Sequence, residues 1–218
     1  MKAFTAVTAV LVLGACAGLR AGGAGGSHWS TLTVLGPVEA GLLYHLRSDT
    51  PPDPRLAFAW GDVCGERDDG ARSQALAAAQ PRLERASREA WERTSWVMPV
   101  RQTLGAYDPQ KGGFTTGLRT GSVIRFDRSD FCRQELSYLV AFRNGDAYAV
   151  LKLSEDRARQ LVRGNPARTV VHDLEVEVVG WQPGPPGPTL LVDIVRFHTR
   201  DAVSDREIYD SAVPALGE

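Results

Sequence analysis

The sequence predicts an α+β fold: a mainly antiparallel sheet carrying two helices in a single domain. Three observations predict it. In ARTVVHDLEVEVVGW (167–181), Val170, His172, Leu174, Val176 and Val178 fall on one face, while Thr169, Asp173, Glu175 and Glu177 fall mostly on the other. That is the two-residue period of a half-exposed strand. PGPPGP (183–188) then turns the chain and TLLVDIVRFH (189–198) returns beside it as an antiparallel partner. Finally, strands, a helix, strands, a helix and a closing hairpin succeed one another, an order that suits an open sheet with helices on one face. A β-sandwich is the alternative architecture.

Residues 16–30 are glycine-rich and read as a flexible tether. TLTVLG (31–36) is the first strand-like stretch, and GLLYHLRS (41–48) is an apolar patch of either type. PPDP (51–54) breaks the chain, because proline supplies no ladder donor and restricts its neighbours. RLAFAWGDVC (55–64) reads as a strand with Leu56, Phe58 and Trp60 on one face. From Gly70 to Trp91, Leu76, Ala79, Leu83, Ala86 and Ala90 recur at helical spacing. Asp68 and Asp69 can cap this helix, and Pro81 should kink or divide it. WVMPVRQTL (96–104) is extended, GAYDPQKGGFTTG (105–117) is loop-like, and SVIRFD (122–127) is strand-like. Asn144-Gly145 between two β-rich runs signals a hairpin. Ser154, with Glu155 and Asp156 behind it, opens a second short helix that Gly164 and Pro166 end. Residues 31–200 form the expected domain, and 201–218 are expected to be a loosely ordered tail.

The chain start points to a compartment. MKAFTAVTAVLVLGAC (1–16) has a positive beginning and an apolar run too short for the roughly 20 residues of a membrane span. It has the form of a cleavable export signal over 1–15. Leu13-Gly14-Ala15-Cys16 resembles the lipobox of bacterial lipoprotein precursors. The resemblance is confined to this N-terminal segment and implies cleavage before Cys16, acylation of that cysteine (palmitate among its chains) and anchoring in a bilayer. Ala17 lacks the aspartate that commonly retains family members at the inner membrane, which implies the periplasmic face of the outer membrane. Ala15-Cys16-Ala17 also fits ordinary signal cleavage, which would release a soluble protein.

With Cys16 acylated, Cys64 and Cys132 remain, and in an oxidising periplasm an even pair reads as a disulfide. Two reduced, buried thiols are the alternative. The 25 basic and 26 acidic residues nearly cancel. A general nucleic-acid binder needs a dominant basic surface, so nucleic acid is not an expected partner.

Candidate chemistry is sparse. Asp62, Glu66, Asp68 and Asp69 could hold Ca²⁺, but their register does not match the EF-hand and capping accounts for the last two. His172 and His198 lie on the terminal hairpin near Asp173 and Asp193, and a His–Asp couple can activate a nucleophile. Yet His172 and Asp173 are adjacent on a strand and point to opposite faces. The four histidines, His28, His45, His172 and His198, give no zinc spacing. No nucleophile elbow, Walker A loop or dinucleotide fingerprint occurs. Tyr107, Asp108 and Phe114 could form a recognition loop, and some of the five tryptophans a platform for sugars or peptides. Trp29, in the tether, could sit at a membrane interface.

The expectation is therefore a lipid-anchored envelope protein, a non-catalytic binding or assembly module in the periplasm. No cofactor or metal is expected. Its partners would be the bilayer, through Cys16, and an envelope protein or cell-wall component. The alternative is an envelope hydrolase with His172 or His198 as general base.

Overall fold

The computed structural model describes residues 28–61, 69–184 and 187–212. The expected signal segment, Cys16 and most of the expected tether lie outside them, as do Cys64 and the acids Asp62, Glu66 and Asp68. The described residues form an α+β fold on a mainly antiparallel sheet.

Helix α1 (Pro37–Arg47) starts with proline in its first turn and a Glu39 carboxylate that accepts from the Gly36 amide at 3.2 Å. It buries Ala40, Leu42 and Leu43 against the sheet. A 3₁₀ helix (Pro54–Trp60) follows, then α2 (Asp69–Glu92) and α3 (Glu155–Gly164). The strands are β1 (Ser95–Thr103), β2 (Tyr107–Asp108), β3 (Gly113–Thr115), β4 (Val123–Phe126), β5 (Tyr138–Phe142), β6 (Val150–Lys152), β7 (Thr169–Gln182), β8 (Thr189–Asp201) and β9 (Glu207–Ala212). The main sheet runs β1-β7-β8-β5-β4, with β9 beside the second half of β8. A small sheet runs β2-β3-β6. Among the described strands of the main sheet, β5 and β8 pair in parallel and the others antiparallel.

The terminal hairpin follows its alternation. Val170, His172, Leu174 and Val176 are inside, opposite Trp96, Met98 and Val100 of β1 and Ile194 and Phe197 of β8. Helix α2 buries Leu83 and Ala90 and half-buries Leu76, Ala79 and Ala86, the row expected from its periodicity. Pro81 lies inside a continuous helix rather than dividing it. Ser154 caps α3 by accepting from the Arg157 amide.

Five local expectations are corrected. Residues 55–60 are not a strand. Asp53 accepts from the Arg55 amide, Pro54 sets the first turn, and Leu56, Ala57 and Phe58 are buried in succession, which a strand packed on one face cannot achieve. Gly41 lets α1 approach this 3₁₀ helix, since a Cβ there would lie 2.2 Å from Leu56 Cδ2.

Asn144-Gly145 does not make a hairpin either. Strand β5 is buried throughout and already has β4 and β8 on its two edges, so β6 has no edge to join. The Asn144 amide instead continues the ladder, donating to the Ile194 carbonyl at 2.8 Å and accepting from the Ile194 amide at 2.9 Å. Gly145 passes so near the Arg119 backbone that a Cβ would lie 2.3 Å from its carbonyl oxygen.

The expected loose tail returns instead at 207 as β9. Asp201 accepts from the Val203 and Ser204 amides and so shapes the turn that precedes it. Residues 28–30, assigned above to the tether, join Thr31 in a 3₁₀ turn docked on the sheet. Val34 then makes a single parallel bridge to Val97 in place of a strand over 31–36.

Candidate functional site

Two regions bring chemistry-bearing side chains together. The first is the outward face of β7, β8 and β9. Asp173 is largely buried; Arg200 Nε donates to its Oδ2 at 2.7 Å, and His198 Nδ1 lies 3.3 Å from the same oxygen. Burial alone would raise the Asp173 carboxyl, but these hydrogen bonds outweigh it and hold the group below its usual range. His198 Nε2 faces Glu207 at 3.5 Å. Across this face lies Trp29, stacked on His198 with ring centroids 5.2 Å apart, and the Arg196 guanidinium also lies 5.2 Å from the indole. Arg196 forms a two-pronged ion pair with Asp210. Trp29, placed in the tether by the sequence, is thus packed against the domain, and its ring ties this segment to the sheet.

His172 is on the other face. Its ring is 0 % exposed. Nδ1 meets the Thr199 hydroxyl at 2.9 Å, and Nε2 meets Gln102 Oε1 at 3.2 Å. Burial pushes the imidazole down to about 4. Thr199 is equally inaccessible, so no substrate reaches this hydroxyl–histidine pair. His198 faces two carboxylates rather than a hydroxyl. The two histidines therefore lie on opposite faces, and among the described residues neither is joined to a solvent-reachable nucleophile.

The expected recognition loop is a hairpin with its side chains already engaged. Phe114 is fully buried, Tyr107 packs edge-on against it at 5.5 Å, and the Tyr107 hydroxyl donates to the Leu153 carbonyl. Asp108 accepts from the Gln110 and Lys111 amides and pairs with the Lys111 ammonium. These are the contacts of a turn. Cys132 is disulfide-bonded, with its partner outside the described residues. Its Sγ lies 3.0 Å from the Phe58 carbonyl oxygen, a packing contact because a disulfide sulfur carries no proton.

The second region is a groove of about 570 Å³ between α2 and the end of α1. Leu46, Pro51, Pro52, Leu83 and Trp91 supply its apolar surface. Trp91 is 65 % exposed, and the Arg47 guanidinium lies 6.0 Å from its ring centroid. Pockets of this size with a mainly apolar lining and a few polar groups are the usual form of a small-ligand site. The sequence marks Trp91 only as one of several tryptophans. The wall opposite it comes from the chain break at Pro51-Pro52, which no periodicity connects to α2.

No family model, curated protein or solved structure matches this chain. Among the described residues, no group of histidine, cysteine and acidic side chains could hold a metal ion, and no helix is long and apolar enough to cross a membrane.

The Trp29 clasp yields one expected result here. Trp29→Ala should speed amide hydrogen exchange across residues 28–35 while changing global stability by no more than about 1 kcal/mol, because the core lies on the opposite face. Unchanged exchange in this segment would show that the ring does not hold it.

Proposed function

We propose that this protein is a lipid-anchored, non-catalytic binding module of a bacterial envelope, held to a bilayer through Cys16 and engaging an envelope component through the α1–α2 groove. The observation that carries this reading is Trp91. A large aromatic side chain left mostly exposed beside a concave apolar surface is the form of an aromatic anchor awaiting a partner. The lipobox-like Leu13-Gly14-Ala15-Cys16 supplies the compartment, and the glycine-rich segment before Trp29 supplies slack between bilayer and domain. The tightly packed surroundings of His172 and the carboxylates around His198 suit structural roles.

Fractionation of the producing bacterium tests both halves of the proposal. Cys16→Ala should move the protein from membranes to the soluble fraction and abolish labelling by a fatty-acid probe. Trp91→Ala should leave labelling intact but reduce retention on detergent-washed envelope material at least tenfold. Retention equal to wild type in Trp91→Ala would remove the groove from the proposal. An unlabelled protein starting beyond Cys16 would remove the anchor.

A further inference from the structure

We propose that the Trp29 clasp orients the anchored domain, turning the outward face of the sheet towards the bilayer and the helix layer away from it; this rests on the binding-module reading above and places that module's partner outside the anchoring bilayer. Arg196 and His198 of β8 stand on the outward face beside their pair partners, Glu175 and Asp173 of β7. Trp29 lies on this face, with its indole against the His198 ring and the Arg196 guanidinium and its Nε1 directed at Asp210 Oδ2. A chain arriving from Cys16 therefore meets the domain on the side opposite the core.

The helices lie on the core side. Leu190, Val192 and Ile194 of β8 point inward, and Trp181 pairs with Leu190 and shares its side. Tyr44 of α1 meets Trp181 edge-on at 5.9 Å, and His45 Nε2 meets the Tyr138 hydroxyl at 2.9 Å. Helix α2 packs on α1 and on the 3₁₀ helix, so the groove opens from the helix layer. The two sides are also staggered along β8. Trp29 lies at residues 196–198 and the Trp181 pairing at residue 190, roughly 20–25 Å apart.

Chain length turns this polarity into orientation. From Cys16 to Trp29 the chain spans at most about 45 Å, even fully extended. A domain of this size is about 40 Å across. For the groove to face the bilayer, the chain would have to leave Trp29, follow a quarter of the circumference and drop a further radius, about 50 Å in all. Full extension falls short of that, and every other conformation falls shorter. With Trp29 turned to the bilayer, the same chain reaches with length to spare.

The clasp is what keeps the chain short. The next hold is at the β1 edge, where the Thr33 carbonyl accepts from the Val97 amide and the Leu35 amide donates to the Val97 carbonyl, both at 2.9 Å. Freed as far as Thr33, the chain spans about 60 Å and starts from the sheet's edge, so both orientations become open.

The tryptophan indole N–H signals test this without a probe on the domain. The full chain, its tryptophans labelled with ¹⁵N, is joined through Cys16 to a maleimide lipid in phosphatidylcholine nanodiscs that carry a gadolinium-chelating lipid, and peptide mass confirms the linkage. Relaxation enhancement should be at least fivefold greater at Trp29 than at Trp91 and Trp181. Trp29→Ala should raise the enhancement at Trp91 and Trp181 at least threefold. Inserting twelve glycine and serine residues between Gly26 and Ser27 should do the same with the clasp intact. Circular dichroism should show both variants folded as wild type, since neither change touches the core. Equal enhancement at Trp29 and Trp91 in the unmodified chain would overturn the orientation. Unchanged enhancement at Trp91 in both variants would overturn the role of the clasp. The lipid is supplied chemically, which separates the two levels of failure. An unlabelled Cys16 in the producing bacterium would remove the bilayer and this proposal with it, whereas failure in nanodiscs alone would leave the binding module standing.

Discussion

Replacing Cys132 by serine should lower the unfolding free energy by about 4 kcal/mol with Cys64 as its proposed partner, the chain-entropy value for a loop of about 68 residues. The structure holds Cys132 in a disulfide and places its sulfur against the Phe58 carbonyl, at the 3₁₀ helix that ends just before residue 61. Cys64 follows three residues beyond Gly61, within reach of an extended chain. Cys132 and Arg133 both have positive φ, 50° and 65°, a left-handed conformation that disfavours side chains other than glycine. Such backbone persists when its surroundings over-determine it, and a covalent tie is one such constraint. Cys64→Ser should match Cys132→Ser in denaturant unfolding without reductant, and reductant should bring the wild type to the same midpoint. Cys16→Ser should leave the midpoint unchanged. A shift in Cys16→Ser instead of Cys64→Ser would overturn the pairing.

Acid should destabilise the fold by about 3 kcal/mol between pH 6.5 and 4 through His172 alone. Burial pushes this imidazole down to about 4 in the folded protein, whereas an exposed histidine titrates near 6.5. Between these values the unfolded chain binds a proton that the folded chain refuses. Stability from this group is therefore intact above pH 6.5 and falls as the pH falls towards 4. Asp173 contributes lower on the scale: its carboxyl is held below the ordinary value of 3.8, so its stabilisation is present above 3.8 and lost beneath it. Glu39 acts in the opposite sense, because burial raises its carboxyl and the folded state holds its proton more tightly than the unfolded one. A comparison isolates His172. Glutamine can reach Thr199 and Gln102 with its amide but does not titrate, so His172→Gln should lose most of the slope between pH 6.5 and 4, while His45, whose imidazole burial also lowers, and Glu39 continue to act. Chemical denaturation at half-unit pH intervals measures this. A mutant profile parallel to wild type would show that the histidine is not its origin.

How far the fold was legible depended on whether the pattern was local. Alternation in 169–182 determined the inward and outward faces of β7, because neighbouring strand side chains must point oppositely. Helical spacing from Leu76 to Ala90 determined the buried row of α2, and Ser154 with two acids behind it determined the start of α3. The candidate site was much less legible. Trp91 belonged to a known helix, but its exposure depends on what that helix does not cover. The charged cluster on the outward face joins side chains from β7, β8 and β9 with a tryptophan nearly 150 residues earlier in the chain than its first member.

By itself, then, the sequence determined the α+β class, the two antiparallel long strands and the two helices with the strongest local signals. It also carried the lipobox-like start and the three cysteines. Tertiary structure decided the rest for identifiable reasons. Residues 54–60 became 3₁₀ helix because three consecutive side chains could be buried under α1. Asn144-Gly145 lost its hairpin because both edges of β5 were occupied, and Asn144 served Ile194 instead. The final segment became β9 because β5 covers only the first half of β8 and leaves an open edge beyond it. Local propensity describes what a segment can do alone; an unpaired edge, a filled edge or a gap beneath a helix exists only after the other segments have taken their places.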